Sequence, residues 1–214
     1  MTIAIIDYGM GNLHSVAKAI EHVSPDERVT ITRDARAIKG ASRVVLPGQG
    51  AIRDCMGELE RTELTGLVKE LLADASKPLL GICVGQQMLM DKSEENGGVR
   101  CLGYLPGRVT RFDDTALDEQ GQRLKVPHMG WNRVHQHHMH PLWEGIPTGE
   151  RFYFVHSYFV QADDDAHALG YIDYAGSRAH VATGRDAVFA VQFHPEKSAD
   201  AGLRLLANFV AWSP

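Results

Sequence analysis

Cysteine is scarce. Three residues among 214, Cys55, Cys83 and Cys101, are too few and too irregularly spaced for a disulfide framework. A reducing compartment, by default the cytoplasm, is therefore expected. Positive charge is short as well, with 22 Lys and Arg against 27 Asp and Glu and a formal net charge of −5. That balance offers no cationic excess to neutralise a phosphate backbone and speaks against nucleic acid as a partner. No apolar run approaches the roughly 18 to 20 residues of a membrane span. The segment from Met1 to Asp7 lacks the basic flank and length of a signal peptide. What is present is a 44% hydrophobic chain long enough for one domain with a single core. At this size folding buries roughly 70% of the unfolded surface without help from a metal or disulfide.

Short β-branched runs alternate with helical spacing through the first half, the pattern of a parallel sheet with crossover helices. Ile3 to Ile6, Arg43 to Leu46 and Pro78 to Ile82 read as strands. Leu13, Val16, Ala17 and Ile20 fall on one helical face, Met56, Leu59 and Leu64 suggest a second helix, and Leu67, Leu71 and Leu72 a third. A further helix is expected over Gln86 to Met90. Beyond Gly97 strands predominate: Gly107 to Phe112, Arg151 to Val155, His167 to Tyr174 and Val188 to Phe193, as antiparallel additions to the core. The last helix is expected to start at an N-cap, Ser198, and to bury Leu203, Leu206, Phe209 and Val210. No linker divides the chain, so residues 1–214 form one domain.

The sharpest local signal is Gly81-Ile82-Cys83-Val84-Gly85 between a buried strand and a helix. A nucleophile on such a turn sits in a strained backbone, and glycines two positions to either side let neighbouring chain pass without Cβ clashes. The start of the next helix would favour a thiolate. The competing reading is a small buried hydrophobe, the usual role of cysteine. Of 11 histidines, His194 stands apart in Val191-Gln192-Phe193-His194-Pro195-Glu196, at the end of an apolar strand. Glu196 is placed to hold one imidazole tautomer. Cys83, His194 and Glu196 thus form a candidate nucleophile, base and orienter. The backbone N–H of Val84 is the natural first oxyanion donor, and the glycines of Pro47-Gly48-Gln49-Gly50 allow a peptide there to turn its N–H inward as the second, although taken alone this stretch reads better as a simple tight turn.

Two other motifs are weaker. Asp7-Tyr8-Gly9-Met10-Gly11-Asn12 follows a strand as a dinucleotide fingerprint would, but His14 stands where the third glycine belongs. His135, His137, His138 and His140 crowd one segment without a cysteine or carboxylate among them, which reads as a solvated loop rather than a metal site. No metal and no cofactor is called for.

Gly81 to Gln87 together with Phe193 to Glu196 resembles the class I (triad) glutamine amidotransferases. Four more segments are similar to one branch of that family, the glutaminase subunits of imidazole glycerol phosphate synthase: Asp7 to Leu13, Pro127 to Asn132, Phe152 to Tyr158 and His194 to Ser198. The resemblance runs nearly end to end. It implies a flavodoxin-like α/β domain, with a mostly parallel central sheet, helices on both faces and antiparallel strands at one edge. It also implies hydrolysis of L-glutamine by Cys83, His194 and Glu196 in histidine biosynthesis. By the same resemblance Gln87 and Glu95 contact glutamine, and Gly50, Ser157 and Tyr158 complete its pocket. A (β/α)₈ cyclase subunit is the implied partner in a heterodimer, met by Asn12, His128, Met129, Trp131, Tyr153 and Lys197. Gln49 departs from the small apolar residue usual in the oxyanion segment of that family.

Other readings remain open at this level: the glutaminase of another ammonia-using synthase, a non-catalytic regulatory subunit, or a thiol peptidase on the same fold. The last would not require Gln87 or Glu95.

Overall fold

The computed structural model describes residues 1–117 and 121–214. The first half runs β1 (Thr2–Ile6), α1 (Leu13–Val23), β2 (Arg28–Thr32), α2 (Ala35–Gly40), β3 (Arg43–Gly48), α3 (Ile52–Arg61), α4 (Thr65–Ala73), β4 (Leu79–Cys83) and the single turn α5 (Val84–Gln87). The second half adds β5 (Lys92–Ser93), β6 (Val99–Arg100), β7 (Gly107–Arg111), β8 (His128–Gln136), β9 (Glu150–His156), β10 (Tyr158–Ala162), β11 (Ala168–Tyr174), β12 (Ser177–Arg185), β13 (Val188–Val191) and α6 (Ala199–Ala211).

Five strands pair in parallel in the order β2-β1-β3-β4-β13. With β13 counted fifth this is the flavodoxin-like order 2-1-3-4-5. The chain moves one way from β1 to β2 and the opposite way from β2 to β3 and β4. Right-handed crossovers therefore set α1 on one face and α2 to α4 on the other, and α6 packs on α1. Beyond β13 the pairing turns antiparallel through β12, β10 and β7. β12 also pairs with β11, which carries β8 and then β9 as a wing off the main sheet.

Several expectations are corrected. The sequence pattern does not reveal β2, α2, β5, β6, β8, β10 or β12. In β2 (Arg-Val-Thr-Ile-Thr) no residue is fully buried, so its apolar signal is diluted, as an edge strand permits. β3 runs on through Pro47 and Gly48 rather than turning at Pro47. Its pairing with β1 ends at Val45, so the missing Pro47 N–H costs no ladder bond on that side. The helix after Cys83 begins at Val84 and lasts one turn instead of spanning Gln86 to Met90. In α3 the buried face is Ile52, Cys55 and Leu59, with Met56 half-buried, and Leu64 belongs to the start of α4. In α6 the buried face is Gly202, Leu205, Leu206 and Phe209, leaving Leu203 and Val210 partly exposed. Ser198 does occupy the N-cap position, but its hydroxyl caps nothing, because it is engaged elsewhere. The histidine-rich segment is not simply a loop, since His135 lies in β8 and pairs with Tyr171 of β11.

Candidate active site

β4 is buried along its whole length and ends on Cys83, whose φ of 57° and ψ of −115° are unfavourable for a residue with a Cβ. The tight packing around the turn explains both glycines. A Cβ on Gly85 would lie 2.1 Å from the Leu46 carbonyl oxygen, and one on Gly81 would lie 2.9 Å from the Ala190 Cβ. The turn that carries the strained residue is thus packed against β3 and β13 too closely for a side chain at either glycine. With only four residues, α5 supplies little dipole to Cys83.

The candidate base, His194, lies just beyond β13. The Nδ1 of His194 bonds Glu196 Oε1 at 2.9 Å, and the ring's other nitrogen is left to hydrogen-bond Cys83. Burial disfavours the imidazolium, but hydrogen bonds and charges from Cys83 and Glu196 overcome it and push His194 up to about 10. The Glu196 side chain is fully enclosed, and its Oε2 has no hydrogen-bond partner. An enclosed carboxylate so placed strengthens its hold on the imidazolium. The other two cysteines face no such base. Burial and Asp91 push Cys101 up to about 12, and burial raises Cys55.

Cys83 and His194 open onto a cavity of about 330 Å³ lined by Gln49, Gly50, Val84, Gln87, Glu95, Ser157, Tyr158 and Lys197, among others, with Glu196 enclosed behind the imidazole. All the residues expected to bind glutamine or form the oxyanion hole are therefore gathered around Cys83. Glu95 reaches the site by accepting a 3.0 Å hydrogen bond from the Ile52 N–H at the start of α3. Gly48 pairs with Cys83 in register, setting the next peptide beside the nucleophile. That segment is anchored from behind. The Tyr8 hydroxyl donates to the Pro47 carbonyl at 2.7 Å, and the Cys55 thiol donates to the Gln49 carbonyl at 3.4 Å. Gln49 itself is exposed. Its longer side chain therefore leaves the backbone path intact.

The residues expected at the partner surface divide. Met129 and Trp131 are 63% and 50% exposed on the outer face of β8, and the Trp131 ring meets Tyr153 edge-on across to β9. Lys197 is exposed at the cavity mouth, Asn12 precedes α1 and is partly exposed, and His128 is buried on the opposite face of β8.

Sequence reasoning missed three groups. Gln192 donates to the Cys83 sulfur at 3.7 Å. A signal was available, since a lone glutamine two residues before His194 in an apolar strand shares its face. Ser198 donates to the His194 carbonyl at 2.6 Å and accepts from the Tyr153 N–H at 3.0 Å, while the His194 N–H bonds the Tyr153 carbonyl at 3.0 Å. The base is thus pinned on both sides to β9. His156, directly across from His128, lines the cavity. Neither Ser198 nor His156 has a local spacing that reveals its partner.

The class-I glutamine amidotransferase family model matches residues 4–212. The chain belongs to that family. Within it, the chain is 60% identical over 213 residues to the imidazole glycerol phosphate synthase subunit HisH of Aromatoleum aromaticum, covering 99% of each protein. It is 54% identical to the subunit of that name from Methylococcus capsulatus, covering 100% of this chain and 97% of that one. Among solved structures, PurLQS from Thermotoga maritima superposes with a TM-score of 0.73 at 16% identity, over 98% of this chain and 97% of that one, a likeness of fold. These matches place the chain among HisH-type amidotransferases, glutaminase subunits of imidazole glycerol phosphate synthase.

The weaker motifs find structural explanations. Gly11 lies where a Cβ would be 3.1 Å from the Pro47 Cβ, so the first glycine loop packs against β3. In the histidine segment, Asp165 supplies the carboxylate that the local sequence lacks. His137 Nε2 lies 2.9 Å from Asp165 Oδ1, and His138 Nε2 lies 3.5 Å from Oδ2. Asp165 is 76% exposed. Among the described residues no helix is long and apolar enough to cross a membrane.

Proposed function

We propose that this chain hydrolyses L-glutamine with Cys83, His194 and Glu196 and delivers the ammonia to a (β/α)₈ cyclase subunit bound over its cavity mouth. The observation that carries the reading is the strained sulfur and the buried imidazole opening together onto one cavity, with the Glu196 carboxylate bonded to the imidazole from behind. The Cys83 thiolate attacks the γ-carboxamide carbon, and the N–H groups of Val84 and Gln49 receive the oxyanion. His194 gives its proton to the departing nitrogen and ammonia leaves. The neutral imidazole then takes a proton from water, which attacks the thioester and regenerates thiolate and imidazolium as glutamate is released. Glu196 holds the ring in one tautomer throughout.

Ammonia in water near neutral pH is protonated and ceases to be a nucleophile, so transfer to a second site needs a sheltered exit. Exposed Met129 and Trp131, with Tyr153 against the Trp131 ring and Lys197 on the cavity, suit a surface that closes on a partner. The names of the relatives at 54% and 60% identity favour the synthase of histidine biosynthesis, in which the cyclase would form imidazole glycerol phosphate and an aminoimidazole carboxamide ribonucleotide.

The test is glutamate release by wild type and Cys83→Ala, each alone and with purified cyclase and its nucleotide ligand. Wild type should be slow alone and faster in the complex, and Cys83→Ala inactive in both. Equal wild-type turnover with and without cyclase would refute the coupling, and persistent activity of Cys83→Ala would refute the nucleophile.

A further inference from the structure

The hydrolysis leaves two buried imidazoles unused. His128 and His156 are 5% and 6% exposed and face each other across β8 and β9, with His128 Nδ1 2.9 Å from His156 Nε2. Burying two such rings is costly unless their nitrogens are bonded. Here the direction of every bond can be read. His156 Nδ1 lies 2.9 Å from the Tyr158 carbonyl, which only accepts, so Nδ1 carries the proton. Burial pushes His156 down to about 3 and His128 to about 4, so both rings are neutral. His156 Nε2 is then bare and must accept from His128 Nδ1–H. That in turn leaves His128 Nε2 bare, facing the Asn132 amide nitrogen at 3.4 Å. The Asn132 amide is itself oriented, because its oxygen accepts from the Arg133 N–H at 2.7 Å.

The other end of the chain lies in the glutamine pocket. The Tyr158 carbonyl also accepts from Gln87 Nε2 at 3.2 Å, so both its lone pairs are used. Gln87 Nε2 donates as well to Gln192 Oε1 at 2.8 Å, and Gln192 Nε2 to the Cys83 sulfur. With both its N–H groups committed, Gln87 can offer a substrate only its carbonyl oxygen.

We infer that His128 and His156 are positioning residues: a hydrogen-bonded imidazole pair, locked in the Nδ1–H tautomer, that fixes the Tyr158 peptide and Gln87 for glutamine binding. The inference rests on the glutaminase reading and extends it from the triad to the wall of the pocket. A pair that merely filled space would be matched by apolar side chains, since the rings already lie among Phe112, Phe154 and Tyr174. The bond to Tyr158 makes the difference testable. Asparagine places an amide N–H near the position of Nδ1, and leucine cannot.

Glutamate release by the cyclase complex should be followed against glutamine concentration for wild type, His156→Leu, His156→Asn and Cys83→Ala. For His156→Leu the expected result is a KM about tenfold higher with a much smaller change in kcat, the loss of about one net hydrogen bond, and substantial recovery in His156→Asn. An unchanged KM in folded His156→Leu, or equal KM values in the two His156 variants, would overturn the positioning role. The Cys83→Ala control judges the glutaminase reading separately. Should His156→Leu fail to fold, imidazole ¹⁵N spectra of the wild-type chain decide. Nδ1–H in both rings, with His156 and His128 shifting when glutamine is added to Cys83→Ala, supports the inference, and Nε2–H in either ring or no shift overturns it.

Discussion

The parallel core and the antiparallel wing contribute to the site in different ways. The core supplies the proposed reacting groups through local geometry: β4 ends in a strained cysteine, β13 leads into the proposed base, and their parallel pairing brings the two together. The wing of β8 and β9 supplies no reacting atom. It pins the His194 backbone through Ser198 and Tyr153, backs the pocket with His156, and presents Met129 and Trp131 outward. The core therefore determines whether the reaction occurs, and the wing how well the groups are aligned and how a partner is met.

The comparison breaks most readily at the base. His194→Ala should lower kcat for glutamate release by about 10³- to 10⁴-fold, through loss of general acid-base catalysis, with cyclase affinity retained. A comparable loss of affinity would mean that core and wing are not separable. Trp131→Ala should have the opposite profile, weakening the cyclase complex by about tenfold or more as an exposed aromatic anchor is removed. Titration calorimetry would measure it. Ser198→Ala sits between the regions. Losing the hydroxyl that joins the His194 carbonyl to the Tyr153 N–H should lower kcat several-fold, about the worth of one net hydrogen bond, with little change in KM. A larger effect on KM than on kcat would place Ser198 with the pocket wall instead.

The smallest effect concerns pH and stability. Because His194 is raised in the folded chain, its contribution is fully present below the unfolded value of about 6.5 and is lost as pH rises through about 10. His128 and His156 are depressed by burial, so theirs is present above about 6.5 and is lost as pH falls toward about 4 and 3. Urea midpoints of wild type and His194→Gln should therefore converge at alkaline pH, and persistent divergence above pH 10 would contradict the ion pair.

The same division explains what could be read from sequence. Cys83, His194 and Glu196, which the structure brings together, could be singled out in the sequence because a strained turn needs flanking glycines and a base needs a nearby carboxylate. Both requirements are met within a few residues along the chain. β1, β3, β4 and β13 are buried on both faces and read as continuous apolar runs. β8, His-Met-Gly-Trp-Asn-Arg-Val-His-Gln, buries only His128 and Val134, so no apolar alternation betrays it. The roles of Ser198, Gln192 and His156 arise from partners 45, 109 and 2 residues away, respectively. Even the nearest depends on a backbone carbonyl, which leaves no mark in a sequence. The carboxylate beside His137 comes likewise from Asp165, 28 residues on.

The central claim is that Cys83 is the one nucleophile among the three cysteines and that its cavity takes glutamine. The most direct measurement is mass spectrometry of the cyclase-bound chain after exposure to a glutamine-mimicking diazo ketone. The expected result is a single covalent adduct on Cys83, suppressed by excess glutamine and absent from Cys55 and Cys101. An unmodified Cys83, or an adduct that glutamine does not suppress, would contradict it.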